Sequence, residues 1–180
     1  MSRLRIYMDK EAARPLLEST DHAAIARELG ARGVRFERWS THSLPDGAAP
    51  EVVLEAYRPE LERLRREGGY QAHDVISLNP DHPDRETLRQ KFLNEHTHSE
   101  DEVRFFVAGS GLFTLHLGDR VYEVLCEQGD LIGVPDGTPH WFDMGPRPSF
   151  TAIRLFTNQA GWVANFTGAD IASRFPRYET

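Results

Sequence analysis

Three histidines and one acid constrain this chain more tightly than anything else in it. His96-Thr97-His98-Ser99-Glu100-Asp101-Glu102 places two imidazoles and a carboxylate in one short run, and His140 comes much later. Successive side chains of a strand alternate faces, so His96 and His98 share a face. Glu102 has the same parity, provided the extended chain survives Ser99 to Asp101. Arg104 and Phe106 continue that face. His140 can join only if the sheet curls back on itself. The pattern therefore predicts a barrel with the site inside it.

Imidazole nitrogen and carboxylate oxygen suit divalent first-row metals: Fe, Ni, Co, Mn, Zn or Cu. Without thiolates in the set, a structural zinc role is disfavoured. Four protein ligands on an octahedral ion leave two positions, and if these are adjacent a small dioxygenated substrate can chelate there. The other histidines, His22, His42, His73, His82 and His116, read as surface or satisfied core residues.

Composition narrows the setting. A net charge of −7 argues against nucleic acid or an anionic membrane as partner. Arg63, Arg65 and Arg66 alternate with Glu60, Glu62 and Glu67, as on a solvated helix face. The single cysteine, Cys126, excludes an intramolecular disulfide and fits a reducing compartment. Val124 and Leu125 beside it make it a core strand residue. Met1 to Lys10 has no signal-peptide apolar region, and no apolar run reaches the ~18 residues of a membrane span. These features predict a cytoplasmic protein.

Periodicity predicts the elements. Leu4, Ile6 and Met8 mark a first strand. Thr20 or Asp21 caps a helix that ends at Leu29 and Gly30. Val34–Trp39 is a strand, and Ser43 to Ala49 a turn-rich loop. Glu51–Glu67 is helical, divided at Pro59 and stopped by Gly68-Gly69. Ala72–Leu78 is a strand, and Asp84–Leu93 a helix with Leu88 and Phe92 on one face. Short strands come next at Val103–Val107, Leu112–Leu117, Val121–Leu125, Leu131–Val134, His140–Asp143 and Phe150–Thr157, with a hairpin at Gly118-Asp119. A helical turn is expected near Asp170 to Ser173. The expected fold is mainly β: a cupin-type antiparallel jelly-roll barrel with a few helices, most from the N-terminal half. One domain spans 1–180: strands and helices over 1–94, barrel strands over 95–157, a C-terminal segment over 158–180.

Two motifs carry the expectation of a cupin barrel. His96-x-His98-x3-Glu102-x6-Gly109 resembles the first cupin motif, and Gly129-x5-Pro135-x-Gly137-x2-His140 the second. Gln90 and Met144 stand where the motifs carry glycine and asparagine, and neither is a ligand position. Over most of its length the chain resembles the acireductone dioxygenase family. The match includes Glu95 to Phe105, Val134 to Asp143, Phe150 to Phe156 and Gly161-Trp162-Val163.

The resemblance implies one Fe(II) or Ni(II) per chain, held by His96, His98, Glu102 and His140. It implies O2 as co-substrate and the acireductone 1,2-dihydroxy-3-keto-5-methylthiopentene, an intermediate of methionine salvage, as substrate. With Fe(II) the products are formate and 2-keto-4-methylthiobutyrate; with Ni(II) they are 3-methylthiopropionate, formate and CO. It also implies a monomer.

Arg104 and Arg154 lie on strand-like runs among large apolar residues; Arg104 shares parity with the ligands, and Arg154 with Phe150, Ala152 and Phe156. Parity leaves open whether each sits at a strand edge with its head in water; the family match favours the site, where the substrate dianion would be the anionic partner a buried guanidinium requires. Phe92, Phe142 and Trp162 are the candidates for the pocket of the methylthio tail, ahead of Phe105 and Phe156. Glu95, Glu100 and Asp101 support the ligands or are solvated turn residues. Two other classes compete: another metal-dependent cupin, such as a sugar-phosphate isomerase or small-molecule oxygenase, and a non-catalytic ligand-binding cupin.

Overall fold

A computed structural model describes residues 1–179; Thr180, the end of the expected C-terminal segment, lies outside the described residues. The strands are β1 Arg3–Met8, β2 Leu17–Ser19, β3 Arg35–Arg38, β4 Ala72–Leu78, β5 His96–Thr97, β6 Glu102–Leu117, β7 Arg120–Glu127, β8 Asp130–Val134, β9 His140–Asp143, β10 Phe150–Phe156 and β11 Asn165–Phe166. The helices are α1 His22–Gly30, α2 Pro50–Ala56, α3 Arg58–Gly68 and α4 Arg85–Leu93, with short 3-10 turns at Gln159–Trp162 and Ile171–Arg174. No helix among the described residues is long and apolar enough to cross a membrane.

Strand β6 connects the two halves of the sheet structure. Its first half pairs with β10 and β8, its second with β7 and β9, all antiparallel. One layer therefore runs β4-β10-β6-β8-β3 and the other β11-β5-β9-β6-β7-β1-β2. Their inner faces share one core: Phe106, Ile132, Phe150 and Ala152 from the first meet Leu4, Ile6, Phe113, Leu115, Tyr122 and Phe142 from the second. The architecture is the expected mainly antiparallel, cupin-like β-structure, although the strands do not close into an unbroken ring.

The two strands expected at Val103–Val107 and Leu112–Leu117 are one strand of 16 residues. The intervening glycines suggested a break, but hydrogen-bonded partners continue through them. A register slip opposite Thr151 and Ala152 leaves Val107 without a partner. Such a bulge reverses the facing of the residues beyond it: Arg104 and Phe106 point inward before the bulge, Phe113 and Leu115 after it. Gly109 sits just past the bulge at φ 70°, where a Cβ would stand 1.9 Å from the Ser149 carbonyl oxygen. Only glycine meets both demands.

Helix α1 starts where the sequence places it, with the Asp21 side chain accepting from Ala24 N at 2.7 Å. Gly30 is its last residue rather than its stop; Gly33, at φ 77°, takes the left-handed position. Helices α2 and α3 separate at Tyr57, with Pro59 in the first turn of α3. They lay Val53, Tyr57, Leu61 and Leu64 on the outer face of the first layer, against Val103, Phe105, Val107, Leu131, Ile153 and Leu155. The C-terminal Ile171, Ala172 and Phe175 cover Tyr7, Val121 and Trp141 on the outer face of the second. Three elements escaped prediction: β2, β11 and the turn Gln159–Trp162 are each too short to show a period.

Candidate metal centre

His96 and His140 are register partners across β5 and β9. Glu102 opens β6 opposite Val134 and Phe156. The extended run does not survive from His98 to Glu102, since the chain bends at Ser99 and Glu100. Long-range pairing therefore returns Glu102 to the histidines, and parity along one strand does not. Clips hold the bend. Gly137 N donates to the His98 carbonyl at 2.9 Å, and Asp136 N to Asp101 Oδ1 at 2.8 Å. Glu100 accepts from the Thr157 hydroxyl and from Asn158 Nδ2. Glu95 is instead buried, accepts from Thr167 Oγ1 at 2.8 Å and lies 3.1 Å from His116 Nδ1.

The ligand atoms of His96, His98 and His140 lie within 4.8 Å of one another. Each Nδ1 faces a backbone carbonyl: Asn94 at 2.8 Å, Val163 at 2.9 Å and Thr138 at 2.8 Å. A carbonyl only accepts, so Nδ1 carries the proton and every Nε2 keeps its lone pair. These supports come from loops that sequence spacing does not register. Glu102 Oε1 accepts from Arg104 Nη2 at 2.8 Å. Its Oε2 is buried with no hydrogen-bond partner, 3.4 Å from His98 Nε2 and 3.5 Å from His140 Nε2. With those nitrogens deprotonated, no donor faces the orphaned oxygen. The three imidazoles fit a divalent cation, and the orphaned Glu102 oxygen lies beside two of them.

Protonation agrees. Burial, then the neighbouring His140, lowers His96 from its ordinary 6.5 to about 4. Burial also lowers His98, with Glu102 pulling the other way. Burial pushes the Glu102 carboxyl up, but its charged surroundings, Arg104 first among them, hold it well below the usual range. At neutral pH His96, His98 and Glu102 are in metal-binding form. Between pH 6.5 and about 4 the unfolded, metal-free chain holds a proton on His96 that the folded chain lacks, so acid favours unfolding. Metal-free protein should lose up to about 3 kcal/mol through that window from His96 alone. Urea midpoints from pH 7 to 4.5 test this, and the decline should be shallower in His96→Gln.

A cavity of ≈570 Å³ opens onto the site. Arg104, Arg154, Phe92, Phe142 and Trp162 all line it, as does Phe156. Phe105 does not: it packs on Trp39 and Tyr57 on the far side of its sheet, each at 5.1 Å. Arg104 is buried with its guanidinium over the rings of Phe113 and Phe142, at 4.8 and 4.7 Å. The expectation that a substrate supplies the anionic partner of both arginines needs correction. Arg104 is paired with Glu102, and Arg154 donates to Asp74 at 2.9 and 2.5 Å. Spacing missed Asp74, Ile76, Leu88, Lys91, Phe113, Ala164 and Phe166, which also line the cavity. For Asp74 a signal existed: it is the one acid on the Ala72-Ile76-Leu78 face of β4. Cys126 is buried, and burial holds its thiol well above the usual range, so it takes no part.

Residues 3–164 match the family model described as the ARD/ARD' family. The chain belongs to the ARD/ARD' family. An acireductone dioxygenase from Hahella chejuensis is 59% identical over 179 residues, 99% of this chain and 97% of that protein. One from Citrobacter koseri is 61% identical over 178 residues, 98% and 99% of the two chains. Among solved structures, the acireductone dioxygenase from Bacillus anthracis with a cadmium ion in its active centre superposes with a TM-score of 0.79. It is 30% identical, over 92% of this chain and 98% of that one. The ARD/ARD' membership agrees with the His cluster, whose three ligand atoms lie close enough to hold a cation.

Proposed function

We propose that the chain is an acireductone dioxygenase that binds one Fe(II) or Ni(II) through His96, His98, Glu102 and His140. The observation that carries this is the cluster of three imidazoles lining a cavity, with the orphaned Glu102 oxygen beside two of them, His98 and His140. Bound there, the metal would supply Lewis-acid chemistry toward an enediolate. The protein supplies the rest. Three backbone carbonyls fix the imidazole tautomers. Arg104, its Nε buried and without a partner, offers a donor and a charge to the anionic substrate. Arg154 adds a second cation at the cavity wall. Phe92, Phe142 and Trp162 keep water from the methylthio tail and orient it.

Fe(II) protein is assigned the products formate and 2-keto-4-methylthiobutyrate, and Ni(II) protein 3-methylthiopropionate, formate and CO. The same reading makes the protein a monomer in the cytoplasm. A phosphate-binding isomerase is the weaker alternative, because residues 3–164 match the ARD/ARD' family model. The test is to load metal-free protein anaerobically with Fe(II) or Ni(II), add acireductone and O2, and identify products. CO is expected with Ni(II) only. Absence of acceleration with either metal, in folded and loaded protein, would refute the assignment.

A further inference from the structure

Asp74 lies outside both cupin motifs, yet it faces the cavity. It pairs with Arg154 across β4 and β10, and Arg154 pairs with Arg104 across β10 and β6. One cross-strand row thus sets two guanidiniums side by side, an arrangement that repels. Each has its own carboxylate, but the two pairs are built differently. The Arg104 and Glu102 side chains are 6% and 2% exposed, whereas Asp74 is 40% exposed and Arg154 18%. Water could solvate Arg154, so neutralising a buried charge does not account for Asp74. A bidentate grip does something else: it fixes the plane of the guanidinium. Asp74 holds Nε and Nη2. Among the described residues Nη1 has no hydrogen-bond partner. Arg154 Cζ in turn lies 5.1 Å over the Trp162 ring, and Trp162 packs edge-on against Phe156 at 4.6 Å.

We propose that Asp74 is a positioning residue of the dioxygenase site. It orients Arg154 so that the remaining N–H groups serve the anionic substrate and the planar face seats Trp162 at the cavity wall. This rests on the reading of Arg154 given above.

The test uses the metal-loaded enzyme and three variants: Asp74→Asn, Arg154→Ala and the double. Asp74→Asn should keep its metal and its denaturation midpoint. Its KM should rise about tenfold, the lower end of what a charge-assisted hydrogen bond is worth, with kcat within about twofold of wild type. In the Arg154→Ala background the same change should add nothing. In metal-free protein, the emission of Trp162, isolated by subtracting Trp162→Phe, should shift in Asp74→Asn. Four results would overturn the proposal: lost metal, an unchanged or lowered KM, effects that multiply in the double variant, or unmoved emission. If Arg154→Ala alone leaves KM unchanged, the reading of Arg154 has failed. If it raises KM while Asp74→Asn does not, the failure belongs to Asp74.

Discussion

Glu102→Gln is expected to strip the metal and weaken the fold together. The residue serves two cations at once. One oxygen accepts from the buried Arg104, and the other is the orphan of the metal centre. Glutamine removes the charge both depend on. Arg104 is then a buried, unpaired cation, and breaking such a pair costs about 3–5 kcal/mol. Metal affinity should fall by more than about 100-fold, since even partners one shell further out are worth 10–100-fold. Turnover should drop to background. Denaturant midpoints and metal analysis of dialysed protein measure the two effects separately. Metal retained at the wild-type level would remove Glu102 from the ligand set. An unmoved midpoint would mean that Arg104 is not held by this carboxylate.

Arg104→Met should give the complementary result. Methionine fills the slot between Phe113 and Phe142 but brings no charge. The ligands remain, so metal should stay bound at neutral pH while kcat falls by about 10²–10³, the usual loss for a preorganised electrostatic group. A shift in the acid limit should accompany it. Arg104 is the strongest influence holding the Glu102 carboxyl down against burial. Without it, burial pushes the carboxyl up, and a protonated oxygen is no longer a ligand. On acidification the variant should release metal at a higher pH than wild type. Metal content across pH 4 to 7.5 decides this. An identical release profile, or near-normal turnover, would make Arg104 an ordinary packed residue.

These expectations draw on different levels of the molecule. The ligand set was legible because its spacing is local: His96, His98 and Glu102 lie in one run, and Pro135, Gly137 and His140 in one turn. Helix ends were legible for the same reason. Asp21 caps α1 from within its own turn, and Pro59 starts α3. The Gly118-Asp119 hairpin needs only a glycine at positive φ between two pairing strands.

Position on a particular face was less secure. Phe106, expected on the ligand-side face, fills the core between the layers, whereas Phe105, offered as pocket lining, packs under α2 and α3. Alternation separates two neighbours but does not name the layer each will meet. Continuity across Gly109 misled for a related reason. Glycine marks a bend whether or not pairing partners carry the strand through it.

By itself, then, the sequence marked the candidate ligands, where helices α1 and α3 begin, and the Gly118-Asp119 turn. Each of these is marked by residues a few positions apart, although bringing His140 to the other ligands takes long-range pairing. Only the tertiary structure decided that Glu102 returns to the histidines after a bend. It alone placed Val163, Thr138 and Asn94 carbonyls behind the imidazoles and gave Arg154 to Asp74. Asn94 and Thr138 lie only two residues before their histidines, but the Val163 and Asp74 contacts join segments 65 and 80 residues apart, and their geometry is set by strand register and a single bulged residue, which no local pattern of side chains encodes.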